Sequence, residues 1–233
     1  MGSEPEELAA TLRELARLDP VKLGQQAVLE RIVQAAATGC DSTGGAGLLL
    51  LDRDQQLRYV VAAGRARRSL AGSQVRLGEG PSVDAFLGDT PVANRDLASE
   101  ARWPDFRPLA RAAGIRSWLS VPVRQRHGPI GVLDFARTDP QPWQPQDFAA
   151  AAGFARLIMA TLQWATARQQ QPLSPALRFA VDHDARIEQA CDLIMERERL
   201  DQAAAIELLR LQAQIEGQPI RAVAERLLTR PRR

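Results

Sequence analysis

The period of the apolar positions changes several times along the chain, and each change marks an element. From Glu4 to Arg17, Leu8, Leu12 and Leu15 keep a helical step among charged neighbours, so 1–20 is read as an N-terminal helical segment packed on something else. A second helical run extends from Val21 to Ala37, with Leu29, Ile32, Val33 and Ala36 on one side and Thr38–Gly39 to close it. Ala46 to Asp52 is short, continuous and apolar, and Leu57 to Ala63 follows a polar turn at Arg53–Asp54. The pair predicts a β-hairpin with a buried first strand. Gln74 to Leu77 reads as a strand, Gly78, Gly80 and Pro81 break it, and Val83, Phe86 and Leu87 suit a short helix. An irregular stretch rich in Arg, Asp and Pro follows Pro91–Val92–Ala93. Two β-capable runs, Ile115 to Arg124 and Pro129 to Ala136, then meet across a polar turn at Gln125–Gly128. This order of elements is an α/β (α+β) pattern with a mostly antiparallel sheet.

A long helix is expected from Asp147 to about Gln170. It carries two apolar stripes, one of Phe148, Ala151, Ala152, Ala155, Ile158, Met159 and Leu162, the other of Phe154, Leu157, Thr161 and Trp164. A helix on a sheet needs one such face, so the second predicts a partner helix of another subunit, or else cover from the N-terminal helix around Leu8 and Leu12. Gln169 to Pro172 breaks the pattern as a linker does. Leu173, Leu177, Ala180, Asp184, Ile187, Cys191 and Ile194 then alternate by steps of 4 and 3, as a coiled-coil seam would, which predicts a parallel homodimer.

The last stretch divides into three helical segments. Ile187, Ala190, Cys191 and Ile194 share a face of the first, and Asp201 can cap the second, whose stripe is Ala205, Leu208, Leu209 and Ile215. Gly217 can close it, Pro219 suits the start of the third, and Ile220, Val223, Ala224 and Leu227 line that one. Units below roughly 60 residues bury too little surface to be secure alone, so this one is expected to dimerise or to lean on what precedes it.

Composition narrows the classes. A chain of 233 residues, 45% apolar and 25% charged, is an ordinary soluble composition for one or two domains. No apolar run approaches the ~20 residues of a membrane span. The start, MGSEPEEL, is too acidic for a secretory leader and fails the myristoylation pattern at Glu6, so a cytoplasmic protein is expected. Net charge is only +2, and Lys22 is the sole lysine among 30 basic residues. Cys40 and Cys191 each sit in an apolar pattern and read as buried free thiols, and neither His127 nor His183 has neighbours at metal-ligand spacing. No nucleophile elbow or Cys/His pair is present, so an enzyme is not expected.

The motifs of the tail, IEQA followed by an apolar Met, then LLRLQA, then IRAVA, resemble the ANTAR domain, an RNA-binding module of bacterial antiterminators. LGEGPSVDAF, VANRDL, RWPDF, GIRSWLSVPV and PIGVLDFA are similar to a GAF domain of the kind found ahead of ANTAR domains in actinobacterial proteins. The resemblance implies a GAF sensor at 21–165, a linking coiled-coil-like helix at 166–185 and an all-α three-helix ANTAR unit at 186–229. It further implies a signal-responsive transcription antitermination regulator, in which an ANTAR dimer binds paired RNA stem-loops of leader transcripts rather than DNA. The alternative is a dimeric GAF sensor or scaffold whose tail contacts protein.

Candidate RNA contacts are Arg186, Gln189, Ala190, Arg210, Arg221 and Arg226, with an i, i+4 ion pair as the alternative for each arginine. The family usually reads QAKG where this chain has Gln189–Ala190–Cys191–Asp192, so a thiol replaces a lysine and an acid that repels phosphate replaces a glycine. In the GAF half, Asp134 within an apolar strand could hydrogen-bond a small-molecule ligand, and Trp103, Phe106 and Trp118 could wall the cavity or simply be core. The ligand itself is not named by the sequence, and no metal is expected.

Overall fold

The structure, a computed structural model, describes residues 4–52, 56–168 and 183–229. The Arg53–Asp54 turn and the seam residues Leu173, Leu177 and Ala180 lie outside the described residues. The chain opens with α1 (Glu4–Ala16), α2 (Pro20–Leu23) and α3 (Gln25–Gly39). The single run expected from Val21 is two helices, because Gly24 at φ +82° takes a conformation that L side chains rarely adopt and so ends the first.

β1 (Gly45–Leu51), β2 (Leu57–Ala63), β3 (Val92–Asn94), β4 (Ser117–Arg124) and β5 (Pro129–Arg137) form one antiparallel sheet of order β2-β1-β5-β4-β3. All seven residues of β1 and all nine of β5 are buried, as strands covered on both faces must be. Alternation sorts them. Ala46, Leu48, Leu50, Leu133 and Phe135 face α3 and the long helix α7 (Pro145–Arg168), while Leu49, Leu51 and Val132 face the opposite way onto α5 (Pro81–Gly88). Gly131 is required where β5 crosses β1, since a Cβ there would fall 2.1 Å from the Leu49 carbonyl oxygen. Buried Arg137 ties the layers at one end: it donates to the Cys40 carbonyl at 2.9 Å and to Asp147 at 3.0 Å, and stacks 3.9 Å over Trp143.

Two expectations are corrected in this half. Gln74 to Leu77 is not a strand but the end of α4 (Arg65–Leu77), closed by Gly78 in the left-handed region. Its inward face carries Ser73 and Gln74 beside Leu70, and that polar face hid the helical period. The stretch expected to be irregular holds a 3-10 turn, Leu97–Ser99, and α6 (Phe106–Ala112). The second stripe of α7 is covered within the chain. Phe154 is fully buried against Gly39, the Thr161 carbonyl accepts from Gln25, and Leu12 of α1 lies over Gly153. Within the chain, α3 covers Phe154 and Thr161 of that stripe and α1 reaches the neighbouring Gly153; the side chain of Trp164 is outside the description.

The tail forms α8 (His183–Glu198), α9 (Gln202–Glu216) and α10 (Ile220–Thr229). Asp201 caps α9, accepting from the Ala204 amide at 2.8 Å, and Gly217 closes it at φ +59°. Ile187, Ala190, Cys191, Ile194, Ala205, Leu209, Ala213, Ile220, Val223 and Ala224 make its core. The expected stripe of α9 is half wrong. Leu208 and Ile215 are 41% and 76% exposed, and Ala213 takes the inward place in line with Ala205 and Leu209, the two alanines letting α9 close against α8 and α10.

Candidate functional site

Trp103, Phe106, Trp118 and Asp134 do converge, on the face of the sheet under α4, α5 and α6, and all are buried to within 1%. Asp134 stands opposite Ser120 in the β4–β5 register and opposite Gly47 in the β1–β5 register, so a small polar patch interrupts an otherwise apolar face. Its Oδ1 accepts from Ser120 Oγ at 2.6 Å and from Trp118 Nε1 at 3.4 Å, and its Oδ2 accepts from Ser82 Oγ at 2.8 Å. Phe106 packs edge-on against Trp118 with centroids 5.6 Å apart. Trp103 Nε1 donates to Asp84 at 2.9 Å, and one oxygen of Glu79 accepts the Asp105 and Phe106 amides at 2.7 Å each, which fixes the start of α6.

Besides Ser120, two further polar contributors were not foreseen. Ser82 opens α5, and Gln74 reaches in from α4, its Oε1 accepting the Ser82 amide at 2.8 Å while its buried Nε2 has no partner. Gly80, at φ +130°, is needed for this packing, because a Cβ there would lie 2.3 Å from Gln74 Oε1. The GPS run of the sequence carried a signal, a serine after a helix-starting proline, but its buried acid lies 52 residues away and only the fold joins them. Chemically the site is a buried carboxylate fed by two hydroxyls and an indole, with an amide donor to spare. Such a group could accept a cationic or donor-rich ligand if α4 moved off it.

In the tail, Gln189 and Arg186 are exposed on α8, with Arg186 Nη1 donating to Gln189 Oε1 at 3.4 Å. Ala190 is fully buried, which corrects its place among the RNA contacts, and Arg221 is only 5% exposed, donating to Glu225 at 2.9 Å. Both sit where α8 and α10 meet, so the packing that builds the unit withdraws them from solvent. Arg210 and Arg226 reach the surface but are paired, with Glu207 and Glu216 respectively. Cys191, at the position of the family's lysine, faces the core at 2% exposure, and burial pushes its thiol pKa up. Cys40 is likewise buried, its pKa raised to about 12 by desolvation and then by Asp147.

The two halves touch. From the β4–β5 turn, Arg126 Nη1 and His127 Nε2 reach Glu188 Oε1 of α8 at 3.0 and 3.3 Å, and Ile220 of α10 sits against Gly128. Between them lies a cavity of about 60 Å³ bordered by Phe86, Leu87 and Asp89 on one side and Arg210, Ala213 and Gln214 on the other. This contact had no periodic signature in the sequence.

The family model of the GAF domain matches residues 22–163, and that of the ANTAR domain matches 176–228. The chain belongs to the GAF domain family, and an ANTAR domain, an RNA-binding module, follows its GAF domain. The fold is similar to that of the GAF domain of an Acinetobacter phosphoenolpyruvate-protein phosphotransferase, with 17% identity, a TM-score of 0.58, and coverage of 73% of this chain and 99% of that one. The corresponding domain from Coxiella burnetii gives 14% identity and a TM-score of 0.57 over 73% and 100%. A free methionine-R-sulfoxide reductase from Neisseria meningitidis, solved with its substrate, gives 18% and 0.54 over 72% and 92%. No curated protein matches the sequence. Among the described residues, no helix is long and apolar enough to cross a membrane.

Proposed function

We propose that the protein is a signal-responsive transcription antitermination regulator. Its GAF domain senses a small molecule or partner at the Asp134 face, and its ANTAR unit, as a homodimer, binds paired RNA stem-loops. The observation that carries this reading is the order of the two domains in one chain. Arg186 and Gln189 on the open face of α8, with Arg210 and Arg226 once released from their acids, supply the RNA contacts. The protein acts in the cytoplasm, binds RNA rather than DNA, and performs no catalytic step. Both thiols are buried with raised pKa, which supports the last point.

Ligand exchange would act by favouring one of two arrangements of α4, which carries Gln74, over Ser82 and Asp134, since only a differential interaction shifts a balance. A gel shift with twin stem-loops tests the function. Binding is expected to weaken steeply with salt and to fall roughly 5- to 10-fold in Arg186→Ala at fixed salt, by loss of a phosphate contact. Salt-independent or absent binding would overturn it.

A second reading, a dimeric sensor or scaffold whose tail meets protein, is favoured by one observation. Leu208, Leu211 and Ile215 lie exposed along α9.

A further inference from the structure

We infer that the contact between the two halves is an autoinhibitory latch, in which the GAF domain covers the Arg210 face of the ANTAR unit and excludes RNA from it. The inference rests on the RNA-binding reading above and specifies its regulation. Three separate contacts build the latch. Glu188, on the same turn of α8 as the RNA candidate Gln189, receives both Arg126 and His127 from the β4–β5 turn, and His127 is held there at 6% exposure. Ile220 rests on the backbone of Gly128, where an added Cβ would lie 3.2 Å from its Cγ2. The end of α5, through Phe86, Leu87 and Asp89, faces Arg210, Ala213 and Gln214 of α9 across the small cavity.

Asp89 gives the contact its chemistry. It caps the C-terminus of α5 at φ +48°, in the left-handed region, and its Oδ2 accepts from Arg124 at 2.7 Å. Its Oδ1 is buried without a hydrogen-bond partner, and Arg210 acts on it through space. Burial raises its pKa, while Arg124 and then Arg210 lower it. A carboxylate within the field of Arg210 occupies the kind of place an RNA phosphate would take, and the GAF surface behind it blocks approach of a duplex. Docking and RNA binding therefore compete for one face of α9. The ion pair of Arg126 with Glu188 is largely exposed, so the charged part of the latch is weak, reversible and weakened by salt.

The test uses the full chain. Gly128→Val pushes a branched side chain into Ile220, and Glu188→Gln removes the charge that Arg126 and His127 meet; Glu188 is 44% exposed, so the second variant preserves the ANTAR core. Hydrogen exchange at 125–129 and 209–214 reports docking, and a twin stem-loop titration reports RNA affinity. The expected result is faster exchange at both segments and affinity raised roughly 5- to 50-fold in both variants, the range of ordinary coupling between sites. Faster exchange with unchanged or weaker RNA binding overturns the latch and leaves the RNA-binding reading intact. Wild-type exchange at 125–129 already as fast as in the variants overturns it too. Absence of RNA binding in wild type and both variants overturns the reading itself, and the latch with it.

Discussion

The two domains bury their apolar residues in different ways. The GAF domain presses a sheet between two helical layers, and its largest fully buried side chains are Trp103, Trp118, Phe106, Phe135 and Phe154. Among the described residues the ANTAR core has no aromatic side chain, and four of its ten buried residues are alanines, each of which contributes little area removed from water. One unit can stand by its own packing. The other relies on close approach of three helices, on their caps, and on whatever covers its outer faces. The ANTAR unit is thus expected to open more easily than the GAF domain.

Unequal cores predict unequal responses. Trp118→Ala removes a fully buried indole that holds both Phe106 and the Asp134 network, and is expected to cost roughly 3–5 kcal/mol of GAF stability. Denaturant unfolding followed by the remaining tryptophans, all of them outside the ANTAR unit, should show that transition moved while hydrogen-exchange protection across 187–224 is kept. A shift of both together would break the comparison. Leu209→Ala, the loss of the largest inward side chain of α9, is expected to cost roughly 2–4 kcal/mol in the smaller unit. Hydrogen exchange across 187–224 would show the loss as faster exchange, with GAF protection retained. Unchanged protection there would mean that the latch, rather than the core, holds the unit.

The same contrast decides what was readable in advance. Element types in the ANTAR unit were legible because its caps are written locally, in Asp201 and Gly217, and its inward positions repeat at helical steps. The buried strands were legible as continuous apolar runs. What escaped was polar burial. Gln74 and Ser73 face inward from α4, so its stripe is not apolar and its end reads as a strand. Leu208 and Ile215 are apolar and face outward, so the stripe of α9 was drawn too wide. At the candidate sites, Asp134 and its three aromatic neighbours stood out as residue types, but Ser82, Ser120 and Gln74 did not, because only strand register and the α4–α5 turn bring them to the acid. The arginines were legible as candidates, and their depth was not: Arg210 and Arg221 carry the same charge, yet one reaches the surface and the other is buried between helices.

Acid sharpens the comparison from the electrostatic side. Glu100, in the loop between β3 and α6, is held well below the usual carboxylate range, its pKa lowered from 4.5 to about 2, chiefly by Arg102 at 2.7 Å and further by the Arg102 amide and Asn94. A carboxyl whose folded pKa is depressed stabilises the folded state fully above its unfolded pKa. That contribution disappears as pH falls from about 4.5 through about 2. Arg102 is half exposed, so solvent screening reduces the effect to roughly 1–2 kcal/mol of GAF stability at neutral pH. Asp89 moves the other way: burial raises its pKa, so at the latch the folded state is favoured toward low pH and loses that margin as pH rises through the raised value. Melting of wild type and Glu100→Gln between pH 7 and 3 separates the two. The variant should begin lower, and its GAF transition should fall less on acidification than that of wild type. Parallel pH profiles would show that Glu100 contributes no more than an ordinary surface carboxylate, and that the GAF domain's advantage lies in its packing alone.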